Sequence, residues 1–107
     1  MKHYNVILSD KAALDMDDLY KYISEDLASP ETAADQYDRI ADAILTLEEM
    51  PGRVKIMDSE PACSRGLRNL IVNNYSALFI IKGDEVIIAR VLYSASDISA
   101  RLSEELL

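Results

Sequence analysis

Apolar residues recur along the first half of this chain at spacings of three and four, and along the second half at spacings of two or in short unbroken runs. Ala12, Met16, Leu19, Ile23 and Leu27 fall on one stripe, which predicts a helix from Lys11 to about Leu27 with Ser9 or Asp10 as its cap. Ser29-Pro30-Glu31 restarts the pattern with a hydroxyl cap, a proline where its missing N–H costs little, and an acid near the positive helix end. The second stripe, Ala33, Tyr37, Ile40, Ala41, Ile44 and Leu47, predicts a helix to about Glu49, ended by Pro51-Gly52. A turn this short between two helices predicts an antiparallel hairpin.

Strand signals bracket and follow the hairpin. His3 to Leu8 alternates Tyr4, Val6 and Leu8 against Asn5 and Ile7. Arg53 to Met57 reads as a short strand and Asp58 to Ser64 as loop. Leu67 to Val72, Tyr75 to Ile81 and Glu85 to Tyr93 form an expected meander, joined by the turn sequences Asn73-Asn74 and Lys82-Gly83-Asp84. Ser96 or Asp97 caps a last helix, Asp97 to Leu107, with Ile98, Leu102 and Leu106 on one side. The expected class is α+β: an N-terminal strand, an antiparallel helical hairpin packed on a twisted antiparallel β-meander, and a short C-terminal helix. Strand 67–72 carries apolar groups on both faces, so either the sheet is covered twice or an open apolar face awaits a partner.

Length and charge narrow the functional classes. At 107 residues the expectation is one domain spanning 1–107. No run approaches a membrane span, and the N-terminus has no secretory pattern, so a soluble cytoplasmic protein is expected. The net charge of −8 is uneven: residues 1–50 hold twelve acids and four bases, residues 51–107 seven of each. The excess acid therefore lies on the helical half, and direct binding to nucleic acid is disfavoured because the overall field repels a polyanion. Cys63 and His3 are single residues of their types. With so few soft ligands no metal site is expected, and nothing in the sequence orients a Cys/His pair for catalysis.

Arginines on strands are the candidate chemistry. In a regular strand Ile87, Ala89 and Val91 pack on the core while Arg90 lies on the other face, giving a cationic patch on an exposed sheet. Arg68 is expected near Arg90 from a neighbouring strand, and Arg65 and Arg68 bracket Gly66-Leu67. The planar guanidinium suits an anion or a partner carboxylate. Tyr93 follows Arg90 at the strand end, Asp97 is most simply a helix cap, and Tyr20, Tyr22 and Tyr37 are expected in the hairpin packing.

Taken in order, Arg65-Gly66-Leu67-Arg68, Asn74-Tyr75, Arg90-Val91-Leu92-Tyr93 and Asp97-Ile98 resemble the RelE/ParE superfamily of type II toxin–antitoxin toxins over nearly the whole chain. The long hairpin and the Arg-Val-Leu-Tyr strand end are closer to the ParE-like branch. That resemblance implies a growth-inhibiting, plasmid-stabilisation type toxin. It implies neutralisation by a co-encoded antitoxin, action on DNA gyrase by protein–protein contact without enzymatic activity, and no cofactor. Arg65, Arg68, Arg90, Tyr93 and Asp97 are the implied contacts to target or antitoxin. The alternative is a RelE-like ribosome-dependent mRNA endoribonuclease without metal, with Arg68, Arg90 and Tyr93 as catalytic candidates. The segment Tyr75-Ser76-Ala77-Leu78 lacks an arginine after its tyrosine, which argues against that alternative. Ser96 stands where many ParE-like relatives carry arginine, which opens a third reading, a detoxified relative that binds only an antitoxin.

Overall fold

The computed structural model describes residues 2–105; the expected place of Leu106 on the last helix lies outside them. Ser9 opens helix α1 (Asp10–Lys21), its hydroxyl accepting from the Ala12 amide at 3.1 Å. A π-helical turn, Tyr22–Asp26, continues α1, and helix α2 runs Pro30–Leu45 with proline at its start. The Ser29 hydroxyl donates to Thr32 Oγ1 at 2.7 Å instead of capping a backbone amide. Ala12, Met16, Leu19 and Ile23 from the first stripe and Ala33, Ile40, Ile44 and Leu47 from the second are all buried. Leu27 departs from the stripe: the π turn ends at Asp26 and Ala28 takes a positive φ of 51°, which leaves Leu27 56% exposed. Tyr20 and Tyr37 meet edge-on across the hairpin with ring centroids 6.1 Å apart.

Four strands, β1 (Asn5–Leu8), β2 (Arg68–Val72), β3 (Tyr75–Lys82) and β4 (Glu85–Tyr93), form one sheet in the order β1-β4-β3-β2. The meander is antiparallel, while β1 pairs in parallel with β4 from Asn5↔Glu85 to Leu8↔Ile88. Asn73 (φ 54°) and Gly83 (φ 61°) supply the left-handed positions that the two tight turns demand. Residues 53–57 are not a strand. Pro51–Arg53 is a 3₁₀ turn, and only an isolated bridge, Ile56↔Arg68, follows. Arg68 donates to the carbonyls of Gly52 and Val54, spending on a side chain the acceptors a strand would use.

Both faces of the sheet are covered. The hairpin packs on one, over Ala77, Phe79, Val86, Ile88 and Val91. On the other, Ala62 and Leu67 from the loop and Leu102 from helix α3 (Ile98–Glu105) close over Leu78 and Leu92. The two-sided apolar pattern of β2 thus reflects double coverage, and the open sheet face expected from sequence is filled by the chain's own loop and last helix.

Strand β4 does not alternate regularly. Leu78 pairs with Arg90 and Phe79 with Ile88, so Ala89 is an extra residue and Ala89 and Arg90 together oppose Leu78 as a β-bulge. Val86 and Ile88 before the bulge and Val91 after it therefore all reach the hairpin side. The expected set Ile87, Ala89 and Val91 is corrected accordingly: only Val91 belongs to that core, and Ala89 packs against the second one.

Candidate functional site

Two of the arginines singled out by sequence, Arg68 and Arg90, have internal tasks. Strand β1 accompanies β4 only as far as Ile88, so the outer edge of β4 beyond that point needs other partners. Helix α1 supplies them. The Ser9 amide and hydroxyl donate to the carbonyls of Ile88 and Ala89 at 3.0 and 2.9 Å, and Asp15 accepts from the Val91 amide at 2.9 Å. The same carboxylate receives Arg90 in a two-point contact, Nε to Oδ2 at 2.7 Å and Nη2 to Oδ1 at 2.9 Å. With side chains only 13% and 11% exposed, this pair is nearly withdrawn from water. The hydrogen bond from Arg90 to Asp15 raises the Arg90 pKa above its already high ordinary value, so the guanidinium stays charged.

Arg90 is therefore a brace between helix and strand edge, not a cation displayed on an open face. Arg68 does not join it. β3 lies between their strands, Arg68 donates to the loop carbonyls of Gly52 and Val54, and Arg90 turns to Asp15 on α1 at the outer edge of β4. The strand order and these separate partners keep the two guanidinium groups from forming the expected patch. Arg65 is exposed at the end of the loop, before Gly66. Asp97 caps α3, accepting from the Ala100 amide at 3.1 Å.

Asp15 was hidden among the acids of α1, yet it carries a signal. It lies three residues after Ala12 and four before Leu19, inside the apolar stripe, and a carboxylate there requires a partner.

An open cleft of about 680 Å³ lies between the hairpin and the ends of β3 and β4. Leu19, Tyr22, Ile23 and Leu27 form one wall, and Tyr75, Val91, Leu92 and Tyr93 the other. Tyr22, expected in hairpin packing, instead lines the cleft at 52% exposure, as does Tyr93 at 49%. Tyr75 and Tyr93 pair across β3 and β4 and meet edge-on, centroids 5.7 Å apart. Burial raises the Tyr75 pKa above its ordinary 10.0, and charge on Tyr93 or Tyr22 raises it further. Because the folded value is the higher one, the stability gained from a neutral Tyr75 is complete below pH 10 and is lost as pH climbs through the raised value. Tyr75→Phe is expected to make the protein lose less stability above pH 10, and the difference in tyrosinate absorbance between wild type and Tyr75→Phe should show Tyr75 ionising above its ordinary 10.0. Equal alkaline stability loss in wild type and Tyr75→Phe would refute this.

Among the described residues no group of three metal-ligating side chains forms, and no helix is long and apolar enough to cross a membrane. Cys63 is exposed in the loop, and His3 is paired with Glu48 at 2.9 Å.

This architecture has known counterparts. A solved structure of the chromosomal ParDE TA system from P. aeruginosa contains a chain similar to this one at 28% identity and TM-score 0.72, over 85% of this chain and 96% of that chain. A second, from the toxin–antitoxin complex RelBE2 of Mycobacterium tuberculosis, is similar in fold at 23% identity and TM-score 0.60, over 85% of this chain and 98% of that one. No curated protein is similar enough to count as a match. The model of the ParE toxin of the type II toxin–antitoxin system parDE matches residues 6–98. With the hairpin, the meander and the Arg90-Val91-Leu92-Tyr93 strand end all inside that match, the chain belongs to the ParE toxin family of type II toxin–antitoxin systems.

Proposed function

We propose that this toxin acts by protein–protein contact on a DNA-topology target of the gyrase kind, in the cytoplasm, and is held inactive by a co-encoded antitoxin. The observation that carries this reading is the internal use of its strand arginines. Phosphoryl-transfer catalysis on RNA needs cationic and acid–base groups converging on one exposed point. Here Arg90 is paired with Asp15, Arg68 donates to loop carbonyls, and strand β3 separates the strands that carry them. The molecule as a whole carries −8, which opposes approach to RNA. Accessible at the cleft are Tyr93 and Tyr22, half exposed and of the residue type that dominates protein contacts. Among the arginines, Arg65 and the accessible part of Arg68 are the proposed flanking contacts. Arg90 and Asp97 act through the strand edge and the helix cap that present Tyr93 and α3.

Induction in cells lacking an antitoxin tests the mode of action. The expected order is altered plasmid supercoiling and arrested replication first, with transcripts intact. Tyr93→Ala should relieve the arrest about tenfold or more in plating efficiency while keeping a cooperative unfolding transition. Early cleavage of messenger RNA with supercoiling unchanged would overturn the proposal in favour of a ribonuclease.

A further inference from the structure

We propose that the outer edge of β1 pairs with β1 of a second copy of this chain across a two-fold axis at Ile7, joining two four-stranded sheets into one of eight strands. This goes beyond the toxic activity and does not depend on its target. β1 is one of the two outermost strands of the sheet. The Asn5 and Ser9 amides donate inward, to the carbonyls of Asp84 and Ile88 at 2.9 and 3.0 Å, so Asn5, Ile7 and Ser9 turn their backbone groups toward β4. The residues between them, Val6 and Leu8, therefore turn theirs outward. Tyr4 shares that orientation, and its amide is taken by the Glu48 carbonyl at 2.8 Å. Among the described residues no such partner reaches Val6 or Leu8. Sheet edges are commonly guarded by lysine, proline or a bulge, and Asn5-Val6-Ile7-Leu8 has none of these.

The spacing of these outward groups is self-complementary. In an antiparallel pair centred on Ile7, Val6 of one copy lies opposite Leu8 of the other, and each such pair exchanges two N–H···O=C bonds. Four hydrogen bonds then close without disturbing either β1–β4 ladder. Ile7 meets Ile7 as a non-hydrogen-bonded pair, the kind that brings side chains closest. The apolar side chains favour the same axis. Ile7 pairs with Ile87 and Ile87 with Ile80, a row across three strands that alternates with Val6, Val86 and Ile81 of the hairpin-side core. Exposure grows along this row: Ile80 packs on the second core, Ile87 is partly buried and Ile7 is 41% exposed. A two-fold axis at Ile7 continues the row into the second copy and covers the open end of each. Asn5 to Leu8 is uncharged, so two molecules of net charge −8 set no like charges opposite one another in the strand pair. A strand of four residues buries less than the roughly 800 Å² per partner of a standard interface, so the dimer is a weak one, with a dissociation constant on the order of 10–100 μM.

Sedimentation equilibrium of the full chain from about 5 to 500 μM is expected to pass from monomer to dimer mass. Ile7→Lys and Ile7→Glu should each weaken association at least about tenfold, and their equimolar mixture should restore it, an outcome specific to contact of residue 7 with itself. Leu8→Pro deletes an outward N–H that β4 does not use and should weaken association about tenfold. Ile71→Lys, on the exposed side of the opposite edge strand β2, should leave association unchanged. Hydrogen exchange of the wild-type chain needs no variant: the Val6 and Leu8 amides should slow at least about tenfold between the two ends of that concentration range. A wild-type chain that stays monomeric at the highest concentration, or Val6 and Leu8 exchange that ignores concentration, would overturn the proposal. So would a mixture that stays monomeric although both Ile7 variants unfold cooperatively, or a dimer abolished by Ile71→Lys.

Discussion

Asp15→Ala is expected to destabilise the folded protein by about 3 kcal/mol, near the lower end of the range for breaking a buried ion pair because a tenth of each side chain still meets water. Three bonds end on that carboxylate: two from Arg90 and one from the Val91 amide. Removing it takes two acceptor contacts from the guanidinium and deprives the Val91 N–H of its carboxylate in a nearly dry site. Against a total stability of about 5–15 kcal/mol for a domain of this kind, that is a large share. Arg90→Ala should cost less, since Asp15 keeps the Val91 amide. Replacing both, Asp15→Leu with Arg90→Met, should recover part of the loss, as apolar pairs of similar volume often replace buried ion pairs without penalty. Urea unfolding with a common slope for all variants measures these differences. A loss below about 1 kcal/mol for Asp15→Ala would mean that water screens the pair as it does on a surface.

Phe79→Ala should cost still more, about 3–5 kcal/mol. Phe79 is fully buried on the central strand β3 and belongs to the core that joins hairpin and sheet, so its cavity lies where neighbouring elements have least freedom to collapse. Leu102→Ala offers the contrast. Leu102 is equally buried, but it sits on α3, an element of eight residues whose Leu102 and Ile98 belong to the second core. There the expected outcome is local: hydrogen exchange accelerates in α3 while β3 and β4 amides keep their protection. Parallel loss of protection in both regions would show that the two cores unfold as one unit.

Much of this architecture was legible because each stripe had one dominant period. Ala12, Met16, Leu19 and Ile23 and then Ala33, Ile40 and Ile44 can satisfy only a helix buried on one side, and Asn73 and Gly83 mark positions where the backbone turns left-handed. The parts that escaped were those where apolar residues occur at every position. In Val86 to Leu92 any phase of alternation is plausible, so the bulge at Ala89 leaves no trace in hydrophobicity, and with it went the face of Ile87 and Ala89. The family pattern around Arg90 and Tyr93 was recoverable, but the role of Arg90 depended on Asp15, 75 residues away, and on β1 ending at Leu8. A short strand edge and its carboxylate cover are tertiary facts. The sequence held one clue to them, an acid on an apolar helical stripe.

The parallel pairing of β1 with β4 has a consequence for synthesis. Asn5 waits for Glu85, and Asp15 waits for Arg90, so neither the first strand nor the first helix can be locked in place until the ribosome has delivered nearly the whole chain. A product aborted anywhere before β4 lacks the strand that unites these elements, and with it the tyrosine at the strand's end. For a toxin acting as proposed, such late closure ties potency to synthesis of β4.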